Sequence, residues 1–127
     1  MSKRTTASEA EISRAIMDLL AVKHVFAVRM NSGTRIGEYK SKKWAIHMHA
    51  PGTADILAFP IFRNKVLCSS FLDKWHEYTI IMPLWIEVKS ATGKQSELQR
   101  SFQTQVEEQG HRYIIARSTL DVAESLK

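Results

Sequence analysis

The sequence predicts a single α/β domain, and three observations carry that reading. Two segments repeat apolar residues at helical spacing, and each opens on a capping signature. Short apolar runs bounded by turn residues lie between and beyond them, as strands do. The second helical segment separates the last two runs, so it forms a crossover between parallel or near-parallel strands.

The first helix is expected over 8–23. Ser8 and Glu11 fit an S-x-x-E capping box, and Ile12, Ile16, Leu19 and Leu20 follow with a 3.6-residue period. At about 100° per residue, Glu9 falls within about 20° of Ile16 and Leu20, on the inward face. Glu11 falls on the outward face and has a sufficient role as a cap. A carboxylate on the inward stripe needs a partner or a metal, unless the first turn frays and Glu9 reaches solvent.

A strand at 25–30 leads into a basic stretch, 29–43, read as a loop or hairpin. It holds Arg29, Arg35, Lys40, Lys42 and Lys43 against Glu38 alone. It is either solvated or in contact with phosphates. Further strands are expected at 44–49, 54–59, 84–89 and 113–117. The core order is helix, three strands, helix, strand. The second helix covers 97–109, capped by Ser96 with Gln99 at N3 and stopped by Gly110. Another short helix starts at Thr119 or Leu120.

Composition narrows the class. The chain has 127 residues, 44% apolar and 24% charged. One core fits that length, and a disordered tail, a collagen-like fibre or a disulfide scaffold does not. Cys68 is the only cysteine, so no internal bridge forms and a zinc site is not expected. No run approaches the roughly 18 apolar residues of a membrane span. The apolar stretch around 78–88 is broken by Pro83 and Glu87. The first residues lack the apolar core of a secretory signal, so an intracellular, cytoplasmic setting (a bacterial or phage-infected cell) is expected. The net charge of +5 and a pI near 9.5 suggest a polyanion partner.

The chemistry gathers at strand ends. In the run LWIEVK, Glu87 and Lys89 point to one face together with Trp85, while Ile86 and Val88 point to the other. Asp55 opens another apolar strand just after the Pro51-Gly52-Thr53 turn. Asp55, Glu87 and the backbone carbonyl of Val88 make a hard-oxygen donor set suited to Mg²⁺, with Glu9 as a further direct or water-mediated contact. A metal there would lower the pKa of a bound water and neutralise a scissile phosphate. Lys89, beside two carboxylates, keeps its proton and stabilises developing negative charge. A surface salt bridge is the plain alternative for D…E-x-K taken alone.

The run GTADILAF, then LWIEVKSATGKQSELQRSFQTQVEEQGHRYIIARS, resembles the virus-type replication-repair nuclease (VRR-NUC) domain of the PD-(D/E)XK superfamily. SEAEISRAIMDLL followed by FAVRMNSG resembles that family's opening helix, strand and Asn-x-Gly loop. The resemblance implies a restriction-endonuclease-like αβββαβ core, with a central mixed sheet flanked by helices. It also implies Mg²⁺- or Mn²⁺-dependent phosphodiester cleavage. Carried over by position, Asp55, Glu87, Lys89 and Glu9 are catalytic, and Gln99 lies beside the active site as well as capping its helix. Asn31 and Ser32 line the substrate groove or form a plain turn. Arg35, Lys40, Lys42, Lys43, Lys94 and Arg100 bind phosphates. Residues 60–83 stand out as an insertion, apolar enough to favour packing or subunit contact over a mobile lid.

The expected function is a DNA endonuclease for branched or structured DNA, working as a resolvase-like homodimer without a small-molecule cofactor. The alternatives are a non-catalytic module binding structured nucleic acid on the same fold, and a restriction-type sequence-specific nuclease.

Overall fold

The computed structural model describes residues 6–30, 34–39, 42–47, 51–67 and 75–127. The expected groove residues Asn31 and Ser32, the expected phosphate contact Lys40, and Cys68 lie outside the described residues. Among those described, the fold is mixed α/β with three helices and a mixed four-stranded sheet.

Helix α1 (Glu9–Val22) begins at the expected capping box. Ser8 Oγ accepts the Glu11 N–H at 3.2 Å and Glu11 Oε2 accepts the Ser8 N–H at 3.1 Å. It ends where His24 adopts φ 56°, with Val25 N–H bonded to the Leu20 carbonyl and His24 N–H to that of Ala21. That is a Schellman stop with histidine in the left-handed place glycine usually takes. Helix α2 (Glu97–Glu108) repeats both devices. Ser96 and Gln99 form its capping box, and Gly110 at φ 83° ends it. Helix α3 (Thr119–Ser125) closes the described chain.

The central sheet holds β1 (Phe26–Arg29), β4 (Ile56–Phe59), β7 (Leu84–Val88) and β8 (Arg112–Ala116), in that spatial order. β4 pairs antiparallel with β1 and β7, and β7 pairs parallel with β8 through the α2 crossover. α1 and α3 cover one face. There Ile12, Ile16 and Leu20 meet Ile56, Ala58, Leu84, Ile86, Val88, Ala116 and Val122 in one buried cluster. Each fully buried Ile, Leu or Val adds about 1.5–3 kcal/mol, so this cluster holds the sheet and two helices together. α2 lies over the other face, with Phe102 edge-on to Trp85 at 4.9 Å. The period-two division of β7 is as the sequence predicts.

Two hairpins lie outside this sheet. Among the described residues, β2 (Thr34–Tyr39) and β3 (Lys42–His47) pair only with each other. The strand expected at 44–49 is therefore β3. It starts two residues earlier and belongs to the basic hairpin rather than to the core sheet. The insertion forms β5 (Ile61–Leu67) and β6 (Trp75–Ile81). Its register, Ile61 opposite Ile81, continues that of Ala58 opposite Leu84. β4–β5 and β6–β7 are thus one long hairpin, broken where Pro60 and Pro83 lack an N–H to give the ladder.

The hairpins leave the sheet at opposite ends. β1 runs toward Arg29, beside the start of β4, and the basic hairpin departs there. β4 runs away from that end, and the inserted hairpin departs from the far end. The insertion therefore extends the β4–β7 pair away from Asp55 and Glu87. Among the described residues, no helix is long and apolar enough to cross a membrane.

Candidate functional site

Because β4 and β7 are antiparallel, the start of one lies beside the end of the other. Ile56 pairs with Ile86, and one further step on this register sets Asp55 against Glu87. Both lie on the α2 side of the sheet. Asp55 Oδ2 accepts the Val88 N–H at 2.7 Å, so the side chain replaces the next backbone rung. A strand residue's N–H and C=O point the same way, so the Val88 carbonyl also faces Asp55.

Glu87 is buried, at 3% exposure. Its Oε1 accepts from Gln99 Nε2 at 2.8 Å and lies 3.6 Å from Lys89 Nζ. Its Oε2 is buried with no hydrogen-bond partner among the described residues. Burial first, and then the negative charge of Asp55, push the Glu87 carboxyl up to about 8 from an ordinary 4.5, while Lys89 pulls the other way. Even with Lys89 beside it, this acid holds its proton at neutral pH unless a metal ion displaces it.

That orphaned oxygen tests the fit of a metal. A buried carboxylate oxygen without a partner is costly, and either a proton or a cation relieves it. Asp55 and Glu87 offer hard oxygens there, and the strand geometry turns the Val88 carbonyl to the same side. Mg²⁺ and Mn²⁺ accept that set with water and phosphate completing the shell. Among the described residues, no group of three or more His, Cys, Asp or Glu side chains is gathered to hold an ion. Two protein carboxylates are what Mg²⁺ usually takes.

Glu9 belongs to the same end of the sheet. The residue is exposed, yet Glu9 Oε1 accepts the Ser90 N–H at 3.4 Å, just past Lys89. Glu11, by contrast, is spent on its cap, as the helical faces predict. Gly93 makes the close approach possible. A Cβ there would stand 3.3 Å from Glu9 Oε1, 3.3 Å from Lys89 Cδ and 3.2 Å from Ser90 Oγ.

Gln99 carries both expected roles with one amide. Its Oε1 accepts the Ser96 N–H at 2.8 Å, and its Nε2 donates to Glu87. The 51–53 turn seats this end of α2. Gly52 has φ 88°, and a Cβ on it would lie 2.4 Å from the Leu98 carbonyl oxygen, so no other residue fits.

The phosphate-binding residues expected from the sequence divide. Arg35 lies in β2, and Lys42 and Lys43 in β3, on the hairpin that leaves beside Asp55. Lys94 and Arg100 are exposed around the start of α2. Three features escaped the sequence reading. Arg117 donates from Nη1 to the carbonyls of Ser90 (2.5 Å) and Gly93 (2.8 Å), pinning the loop after Lys89. Gln95 donates to the Tyr113 hydroxyl at 3.0 Å, and burial pushes that phenol up to about 12. Ser13 Oγ accepts from Arg29 Nη2 at 3.1 Å. Only the Ser13 contact had a sequence signal, since Ser13 stands one turn along from Glu9 on the same helix face.

No family model, curated protein or solved structure matches the chain.

Proposed function

We propose that the chain is a divalent-metal-dependent DNA endonuclease of the PD-(D/E)XK kind. In this reading its sheet and helices form a VRR-NUC-like, restriction-endonuclease-like core. Its substrate is branched or structured DNA in the cytoplasm. One observation carries the reading: two carboxylates meet across β4 and β7, one with a buried unpartnered oxygen, beside a lysine.

Asp55, Glu87 and the Val88 carbonyl would hold Mg²⁺ or Mn²⁺, which would neutralise phosphate charge and supply an acidified water. The Val88 N–H fixes the Asp55 carboxylate, and Gln99 fixes that of Glu87. Lys89, held 3.6 Å from Glu87, would stabilise charge building on the phosphate. The basic hairpin, Lys94 and Arg100 grip the backbone without reading sequence. A four-way junction needs two symmetric cuts and each chain has one acid pair, so the working unit is a homodimer.

The test sets Asp55→Ala and Lys89→Ala beside the parent protein. Each is incubated with Mg²⁺ or Mn²⁺ and labelled duplex, flap, splayed-arm or four-way-junction DNA. The parent should cut branched DNA and both variants should fail. No cleavage by the parent, or equal cleavage by the variants, defeats the nuclease reading. Cleavage confined to one sequence in linear duplex defeats the branched-substrate reading.

A further inference from the structure

Arg29 ends β1 beside the start of β4, next to Asp55 in the chain pairing. It pairs directly with Ile56, so both side chains rise on the α1 face. There Ser13 takes one guanidinium hydrogen, at 3.1 Å. Ser13, Arg29, Met30 and Asp55 together line a small polar cleft. The Met30 N–H donates to the Asp55 carbonyl at 2.7 Å, tying the end of β1 to the start of β4.

Arg29 does not serve to neutralise Asp55. Among the described residues the ion pairs are Lys89 with Glu87 and Lys127 with Glu124, and Arg29 takes part in neither. A guanidinium presents five N–H donors in a rigid fork, and Ser13 uses one. Arg29 is exposed, so the others face solvent at the end of the sheet where Asp55 opens β4, without a counter-ion among the described residues. An anion that approaches the pair and carries several oxygens satisfies them, and a phosphodiester is such an anion.

We infer that Arg29 is a contact for a DNA phosphate next to the acid pair, and that Ser13 is its positioning residue. The inference rests on the DNA reading above and extends it. In sequence Arg29 opens the basic stretch 29–43, so the contact would join that stretch to the end of the sheet that carries Asp55.

The experiment is equilibrium binding of a fluorescent splayed-arm DNA in EDTA, which prevents turnover, across a salt series. Arg29→Gln should weaken binding about tenfold and lower the slope of log K against log salt by about 1. Arg29→Lys keeps the charge, so it should keep the parent slope while recovering only part of the affinity. Ser13→Ala should weaken binding at unchanged slope. Parent-like slope and affinity in a folded Arg29→Gln overturn the inference. So does Arg29→Lys losing the slope, which would assign the loss to local structure. The two readings fail separately. If the slope falls in Arg29→Gln but the parent never cuts DNA, the nuclease reading fails and the phosphate contact stands. If the parent cuts and Arg29→Gln binds like the parent, the contact fails alone.

Discussion

Gln99 Nε2 stands 2.8 Å from Glu87 Oε1, while the oxygen of the same amide caps α2 through the Ser96 N–H. The cap thereby dictates which end of the amide faces the acid. A donor is turned toward Glu87 because the acceptor is already used.

Separate substitutions should divide these two roles. Ser96→Ala removes the cap alone and should cost about 1 kcal/mol in urea unfolding, with cleavage retained. Gln99→Ala loses the cap and also a hydrogen bond to an ionisable group. It should lower cleavage about ten- to a hundredfold. Equal cleavage losses in both variants would mean that Gln99 acts only through its helix.

Glu87 should leave a pH signature on the metal-free protein. Its folded carboxyl titrates at about 8 and its ordinary value is 4.5. Between these values the folded chain binds more protons than the unfolded chain, so stability falls as pH rises through the window. The full effect is on the order of 5 kcal/mol. Glu87→Gln has no such proton and should escape the decline. Urea unfolding at pH 5 and pH 8.5 should therefore show the variant gaining on the parent. Parallel pH dependences would mean that Glu87 ionises normally.

The loop after Lys89 is held from two sides, and each side can be released. Gly93→Ala places a methyl among Glu9, Lys89 and Ser90. Arg117→Ala frees two carbonyls in the same loop. Both should reduce cleavage at least about tenfold, since a misplaced catalytic group is costly even at a distance of 1 Å or so. Each should lower stability by only about 1 kcal/mol. Parent-level cleavage by both would remove the loop from any part in placing Lys89.

The inserted hairpin should be dispensable for chemistry. It continues β4 and β7 from the end of the sheet opposite Asp55. Replacing 61–81 by a short turn should leave a folded protein that cuts within about threefold of the parent on a per-site basis, as distant sites act independently. Loss of cleavage with the fold retained would show that the hairpin contributes to the site or its assembly.

Much of this arrangement was legible in the sequence because its signals are local. The capping boxes at Ser8 and Ser96, the Gly110 stop and the two faces of 84–89 each depend on residues a few positions apart. Glu9 and Glu11 were separable by helical angle alone, although Glu9 keeps its exposure while its carboxylate reaches Ser90. The rest needed tertiary pairing. Nothing near Pro60 announces that β5 and β6 keep the register of β4 and β7. The partners of Arg117 are backbone carbonyls, which carry no sequence signature. The strand expected at 44–49 pairs only within its hairpin, because strand propensity does not say which sheet a strand joins.

The central claim is that Asp55 and Glu87 form a divalent-cation site, and titration calorimetry with Mn²⁺ tests it most directly. At pH 7, in buffers of differing ionisation enthalpy, binding should release close to one proton per ion, because the metal displaces the Glu87 proton to the buffer. At pH 9.5 the release should vanish, and Asp55→Asn should abolish saturable binding. No saturable binding by the parent, or undiminished binding by Asp55→Asn, would contradict the claim.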